Sequence, residues 1–459
     1  MISNPFRNQS KGRNLPLWPI TTVLVVSFTV ALVVASSVFT AGWGLLDVHG
    51  LKPEHTITSQ TLFDLVKLSF GVVAGAGGLV ALVVAYRRQR IDEEAALREN
   101  EGALREAIRL HTERFTAAVS HLGDSSPAVR LGGVHALAGL ADDAPSRELR
   151  QTCIDVLCAY LRLPYTVNSD APNNDPAARH EYLALRQVRH TIIRLIRDHL
   201  RLCTNHPHTW QGHDFDFTDG IFDGGDFTKA NFSGDGLVDF GGARFGGGML
   251  DFSEARFAGG KVSFRGARIS SVVSFSGAHF SGSAVEFDNT LVDRGLFRFD
   301  DAHLNGGVVN FRNVRFRDCE VSFTETRFAG TAVTFGDPSF YDSGPPLFRE
   351  SRFTECLFLF LHTHFNDGIV DFRGTAFMGG NIVFGDAHFS GSAVNFSCAH
   401  FGNRMSFGRT FFSGGVVDFC GSDPEHHATG TAPSGLVPDA GQPLPRGLLL
   451  PPAWYISAP

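Results

Sequence analysis

Phenylalanine sets the pattern in the second half of the chain, returning at alternating steps of five and seven residues. Phe240, Phe245, Phe252, Phe257 and Phe264 open the series, Phe311 and Phe316 keep its short step, and Phe372, Phe377, Phe384, Phe389, Phe396 and Phe401 repeat it. A fixed short period predicts a solenoid. The longer step carries a Val-x-Phe unit, seen at Val238, Val262, Val285, Val309, Val333, Val370, Val394 and Val417. Residues two apart share a strand face, so Val and Phe point into the core and the residue between them points out. Many long steps hold a glycine pair, as at Gly259-Gly260, Gly306-Gly307 and Gly379-Gly380, which predicts wider corners. A twelve-residue coil is too narrow for two phenyl rings, so two such halves, about 24 residues, should close one coil. About nine coils at ~4.8 Å give a rod on the order of 40 Å long.

The first half reads as helix. No charge interrupts the chain between Arg13 and Asp47, and Trp18 to Thr40 is long enough to cross a bilayer. Leu68 to Tyr86 is a second uncharged stretch, followed at once by Arg87, Arg88 and Arg90. Arg7, Lys11 and Arg13 precede the first stretch, so both basic flanks should face the cytoplasm, which places the protein in the cell membrane with its N- and C-termini cytoplasmic. Gly71 and Gly75 form a GxxxG that allows a homodimer through the second span, although packing of that span on the first is the commoner use; a homodimer through the solenoid end is the other route. Ile91 to Arg114 continues as a charged helical stalk, and amphipathic segments follow up to Leu202, with N-caps at Asp124 to Ser126 and at Ser146. The expected organisation is a membrane anchor over 1-90, a helical stalk and small helical domain over 91-205, a solenoid over 214-420 and a mostly disordered tail over 421-459. The terminal LLLPPAWY could fold back over the solenoid end.

Charge and chemistry narrow this picture. A net charge of -7 excludes a generally basic, nucleic-acid-coating protein. From Asp214 to Cys420, 17 Lys and Arg stand against 25 Asp and Glu, a net of -8, so direct nucleic-acid binding is not expected. The 7 cysteines form no paired framework, which fits reduced thiols. His206, His208 and His213 beside Asp214 resemble a metal cluster, but HxH alone is unspecific, and no metal, cofactor or catalytic residue is assigned. P-loop, GxSxG and HExxH motifs are absent from the sequence.

Phe217, Phe222, Phe227 and Phe232 are spaced by five, and Ala230-Asn231-Phe232-Ser233-Gly234 matches a pentapeptide-repeat consensus. Together with RFTAAVSHLG, AVRLGGVHALAGLADD, RQTCIDVLCAYLRLPY and RHTIIRLIRDHLR, this resembles membrane-anchored, actinobacterial-type pentapeptide-repeat proteins from about Tyr86 onward. The resemblance implies a multidomain chain: two transmembrane α-helices, a small α-helical domain and a C-terminal right-handed, quadrilateral β-helix. It implies no chemistry. In that family the central Phe and the small residue two before it face inward, a plan expected here for the first coil and lost after Phe240.

The residue before each short-step Phe is repeatedly basic: Arg244, Arg256, Arg268, His279, His303, Arg315, Arg327, Arg352, His364, His388 and His400. Its counterpart inside Val-x-Phe is acidic or neutral, as at Asp239, Asp251, Glu286, Asp371 and Asp418. Both sets should point outward and stack into charge ladders. A solvated surface is the commoner meaning of such ladders; the functional one is docking of an anionic partner, a protein's acidic patch or lipid headgroups. The expected function is a non-enzymatic, cytoplasm-facing scaffold or protein-interaction module. The alternatives are a DNA-mimicking topoisomerase regulator, as some soluble pentapeptide-repeat proteins are, and a polysaccharide-active β-helix enzyme.

Overall fold

The structure is a computed structural model that describes residues 59-165, 176-335, 352-402, 404-436 and 443-456, with scattered positions between 22 and 41. The first predicted span lies largely outside the described residues. The second lies within α1 (Ser59–Leu122), a continuous helix of 64 residues whose most apolar 18-residue window has a mean hydropathy of 2.2. Among the described residues, this is the one helix long and apolar enough to cross a membrane. Leu68, Phe70 and Val73 are exposed along it, and nothing lies within 4 Å of the Cβ positions of Gly71 and Gly75. The boundary drawn at residue 90 falls inside this helix, because Ala, Leu, Glu and Arg carry helix propensity across it. The compact unit that follows runs from Ala107 to Pro459.

In that unit the end of α1 joins α2 (Pro127–Asp142), α3 (Arg147–Arg162) and α4 (Pro176–Leu200). Ser146 caps α3, its hydroxyl accepting from the Leu149 amide at 3.3 Å. Ser126 makes no such bond, and Pro127 occupies the first turn of α2 instead. Val134, Leu137, Ile154, Leu157, Ile192 and Ile196 fill the interior, as do Cys153 and Cys158. Gly133 is where α2 meets α1, since a Cβ there would stand 2.6 Å from the Leu122 amide nitrogen.

Downstream, strands pair only with strands one coil away, always in parallel, and build four sheets. Their first strands are β1 (Phe215–Asp216), β2 (Ile221–Phe222), β3 (Gly225–Asp226) and β4 (Asn231–Ser233). We call the sheets walls 1 to 4; they hold 10, 9, 8 and 8 strands among the described residues, so the chain makes about eight turns. Wall 1 pairs Val238 with Val262, Val262 with Val285 and Val285 with Val309. Two half coils thus make one coil. In wall 1 the register step is 23 or 24 residues from Phe215 to Val417, except from Val333 to Val370, where the chain carries the segment 336-351, outside the described residues; the last step, from Val417 to Leu448, is longer.

Two columns of phenylalanine run the length of the rod. Phe217, Phe240, Phe264, Phe287, Phe311, Phe335, Phe372, Phe396 and Phe419 stack with centroids 4.5 to 4.9 Å apart. Phe227, Phe252, Phe275, Phe299, Phe323, Phe360, Phe384 and Phe407 form the other, at 4.5 to 5.2 Å. The short-step columns admit Ile269, Val292 and Leu304, all buried. All the predicted core phenylalanines are buried.

The small buried residue two positions before the short-step side chain does not stop at Phe240. Ala243, Ala255, Ala267, Ala278, Ala302, Ala387 and Ala399 are buried two positions before each short-step residue. Most short steps begin with the same turn: the Ala255 amide donates to the Phe252 carbonyl at 3.0 Å, and Glu254 takes φ 56. Conversely, the first coil is not built of five-residue steps alone, since Phe215 pairs with Val238. Wide corners do rest on glycine. Gly307 has φ 82 and a Cβ there would lie 2.4 Å from the Ser283 carbonyl oxygen, so only glycine allows the coils to close up.

Both open ends of the solenoid are covered. At the first, Gly225 lies against the Ile193 side chain of α4 and Gly220 against the Leu161 carbonyl of α3. At the other, Leu448–Leu449 adds a strand to wall 1 beside Val417, and Trp454 stands 5.3 Å from Phe419. The tail assigned from its composition to mostly disordered chain is instead, in its described residues, the continuation and lid of the rod. Its apolar Leu448, Leu450 and Trp454 find a ready surface in the last exposed ring layer.

Candidate interaction face

The single ladder expected from the sequence is two ladders. Because each coil contains two short steps, successive members alternate between walls. Arg244, Arg268, Arg315, Arg352 and His400 belong to wall 2, and Arg256, His279, His303, Arg327, His364 and His388 to wall 4. Wall 2 is broken by Leu291 between Arg268 and Arg315 and by Ala376 before His400, which bonds to the Thr429 hydroxyl at 3.0 Å. Arg244 and Arg268 also line a cleft of about 450 Å³ with Arg162 and Pro164, which follow from α3.

Wall 4 is continuous. Arg256 pairs with His279, His279 with His303, His303 with Arg327, Arg327 with His364 and His364 with His388. Parallel pairing stacks the imidazoles flat: His279 and His303 lie 4.8 Å apart at 3°, and His364 and His388 lie 5.0 Å apart. His388 in turn stacks on the exposed ring of Phe411 at 4.7 Å. The other outward position of this wall is small and neutral, at Ser233, Ala258, Ser281, Asn305 and Ala329. Among the described residues, no carboxylate lies within ion-pair distance of the six column members.

Carboxylates stand nearby at the corner turns, at Glu254, Asp301, Glu325 and Asp386, all with positive φ. Two of them are already engaged, Glu254 with Lys229 at 3.4 Å and Asp386 with Arg409 at 2.7 Å. Partial burial, then the neighbouring His279 and Arg327, hold His303 below the ordinary imidazole range, against the pull of Asp301. Burial, His388 and Arg327 do the same to His364, against Glu325. The column therefore carries the fixed charges of Arg256 and Arg327, and within it His303 and His364 take up protons less readily than a free imidazole.

The acidic residues of the Val-x-Phe units have a local task that the sequence reading missed. Carboxylate oxygens of Asp216, Asp239, Asp251, Asp371 and Asp418 accept the amide two residues on, at 2.7 to 3.0 Å, and so fix the turn that ends the strand. Asn395 does this without a charge. Their repetition follows from turn geometry, and on wall 1 Ser263, Asn310 and Thr334 interrupt them.

Asp223 was also missed. It is buried, and its carboxylate receives the Tyr165 and Tyr182 hydroxyls at 2.8 and 2.6 Å, Arg186 Nε at 3.0 Å and His190 Nε2 at 3.0 Å. Burial alone would raise its pKa, yet the hydrogen bonds from His190, Tyr182 and Tyr165 hold it far below the ordinary carboxylate range. Beside it Arg189 is buried, donating to the Leu161 and Ile221 carbonyls under the Tyr165 ring at 4.4 Å. The only sequence signal was the repeat of Arg186, Arg189 and His190 along one helical face. This node fastens α4 to the first coil.

The histidines before the first coil are not assembled as ligands. His206 meets His208 edge to face at 5.4 Å, His208 lies 3.8 Å from Asp142, and His213 is buried apart with neither ring nitrogen bonded. Among the described residues, no three His, Cys, Asp or Glu side chains are grouped to hold a metal. Comparisons with protein-family models, with curated proteins and with solved structures give no match.

Proposed function

We propose that the chain is a membrane-tethered scaffold whose wall 4 docks an acidic segment of a partner protein, with no catalytic role. The observation that carries this reading is the unbroken column from Arg256 to His388, unpaired by carboxylates and bordered by small neutral side chains. An extended acidic peptide laid along the rod would meet a cationic or protonatable group at every coil, about 4.8 Å apart. In this reading the rod is a right-handed, quadrilateral β-helix of the pentapeptide-repeat type, anchored by two spans with both termini in the cytoplasm. The GxxxG of Gly71 and Gly75 would serve either packing of the second span on the first or a homodimer through the second span.

Crosslinked pull-down of the intact membrane protein, compared with an R256Q/R327Q variant, tests the proposal. A protein captured by the native column and lost from the variant is expected, with weaker capture as salt rises. Equal capture by both would overturn it. Reporter fusions at the C-terminus and in the 47-67 loop test the topology, and an external C-terminus would reopen the polysaccharide-active reading. The carboxylates of wall 1 would suit the topoisomerase-regulator alternative, but Ser263, Asn310 and Thr334 interrupt them and their turn-capping bonds give them another cause. A supercoiling assay with the purified protein separates the two.

A further inference from the structure

The register of wall 3 pairs Glu320 with Leu357, which brings the residues before them, Cys319 and Cys356, side by side on successive coils. The Leu357 amide donates to the Cys319 carbonyl at 3.0 Å, so the two backbones are locked at this point. The Sγ atoms lie 3.1 Å apart, and both residues are buried. Adjacent parallel strands set Cα atoms ~4.8 Å apart, inside the span of roughly 4.4 to 6.8 Å that a disulfide bridges. The same corner position is Gly295 on the preceding coil and Gly380 on the following one, so the cysteine pair is confined to these two coils.

We infer that Cys319 and Cys356 are a cross-coil modification site that a low-molecular-weight disulfide converts to an intramolecular disulfide. The Cys319 thiol donates to Cys356 and holds that thiol below its ordinary range, while Cys319 itself is pushed up. Attack by either thiol first leads to the same bond; in one order Cys356 attacks as its thiolate. It displaces one thiolate from the small disulfide and is left as a mixed disulfide. Cys319 then gives up its proton and attacks the Cys356 sulfur, expelling the second thiolate. Two protein thiols are oxidised, one small disulfide is reduced to two thiols, and the protons pass to those thiols. The new bond would staple the coils on either side of the enlarged register step, closing a chain separation of 37 residues.

The test uses the reduced full chain in lipid nanodiscs exposed to oxidised glutathione, followed by peptide mapping without reductant. A linked peptide joining Cys319 to Cys356 is expected, together with slower proteolysis between those residues. In C319S the linked peptide should vanish and a glutathione adduct should remain on Cys356. Adducts at Cys319 and Cys356 in the native chain with no linked peptide would overturn the inference. So would survival of both thiols while the exposed Cys203 is consumed. The readout rests on the native chain, so it holds even where the variant misfolds.

Discussion

At the scale of single residues, the structure separates side chains that look alike in the sequence. Phe311 lies between Phe287 and Phe335 in a sealed stack, whereas Phe411 occupies an outward position and covers His388. Phe311→Ala should cost about 4 kcal/mol by emptying one layer, and Phe411→Ala within about 0.5 kcal/mol; urea denaturation of both variants checks the contrast. Asp223→Ala leaves Arg186 and the two tyrosines without their acceptor and should cost about 3 kcal/mol. Its native pKa is depressed, so the unfolded chain binds the proton more readily and stability falls with acid. The contribution is whole above the ordinary carboxylate range, ~4, and declines as pH drops toward the lowered native value. An acid titration of the native protein should show that loss, and Asp223→Asn should flatten it.

At the scale of elements, the Val-x-Phe units and the five-residue turns were legible because their spacing is local. Alternation within a short strand names the inward side chain whatever the neighbouring coil does. The number of half coils per coil decides which outward residues share a wall. That number follows from ring size, and once it is two, a ladder with a twelve-residue rhythm must divide between walls 2 and 4. The Asp223 node was not legible, since Tyr165 and Tyr182 reach it across 58 and 41 residues of chain. The turn-capping carboxylates were legible in position and misread in purpose, because an outward acid and an acid bonded to its own backbone have the same spacing.

At the scale of the whole chain, the long apolar helix and the solenoid were both announced by apolar pattern, one by an uncharged run and the other by a period. The lid was harder to read because Leu448, Leu450 and Trp454 come after a segment with no period. Removing residues 443 to 459 should strip the strand from wall 1 and bare the ring layer at Phe419, leaving an unpaired edge. Light scattering should then report larger assemblies than for the intact protein, while the far end, held under α3 and α4, keeps its fold.

The two unbroken phenylalanine columns have a consequence for how the rod finds its alignment. A displacement by one full coil would put phenyl on phenyl again at nearly every layer, so the columns reward closeness without recording position. Position is recorded where the pattern is irregular: Ile269 and Val292 in one short-step column, Leu304 in the other, the long step after Val333, and Asp223 under its helix. These exceptions act as phase marks on an otherwise translatable lattice. The residues least like the repeat are the ones that tell each coil which coil it is.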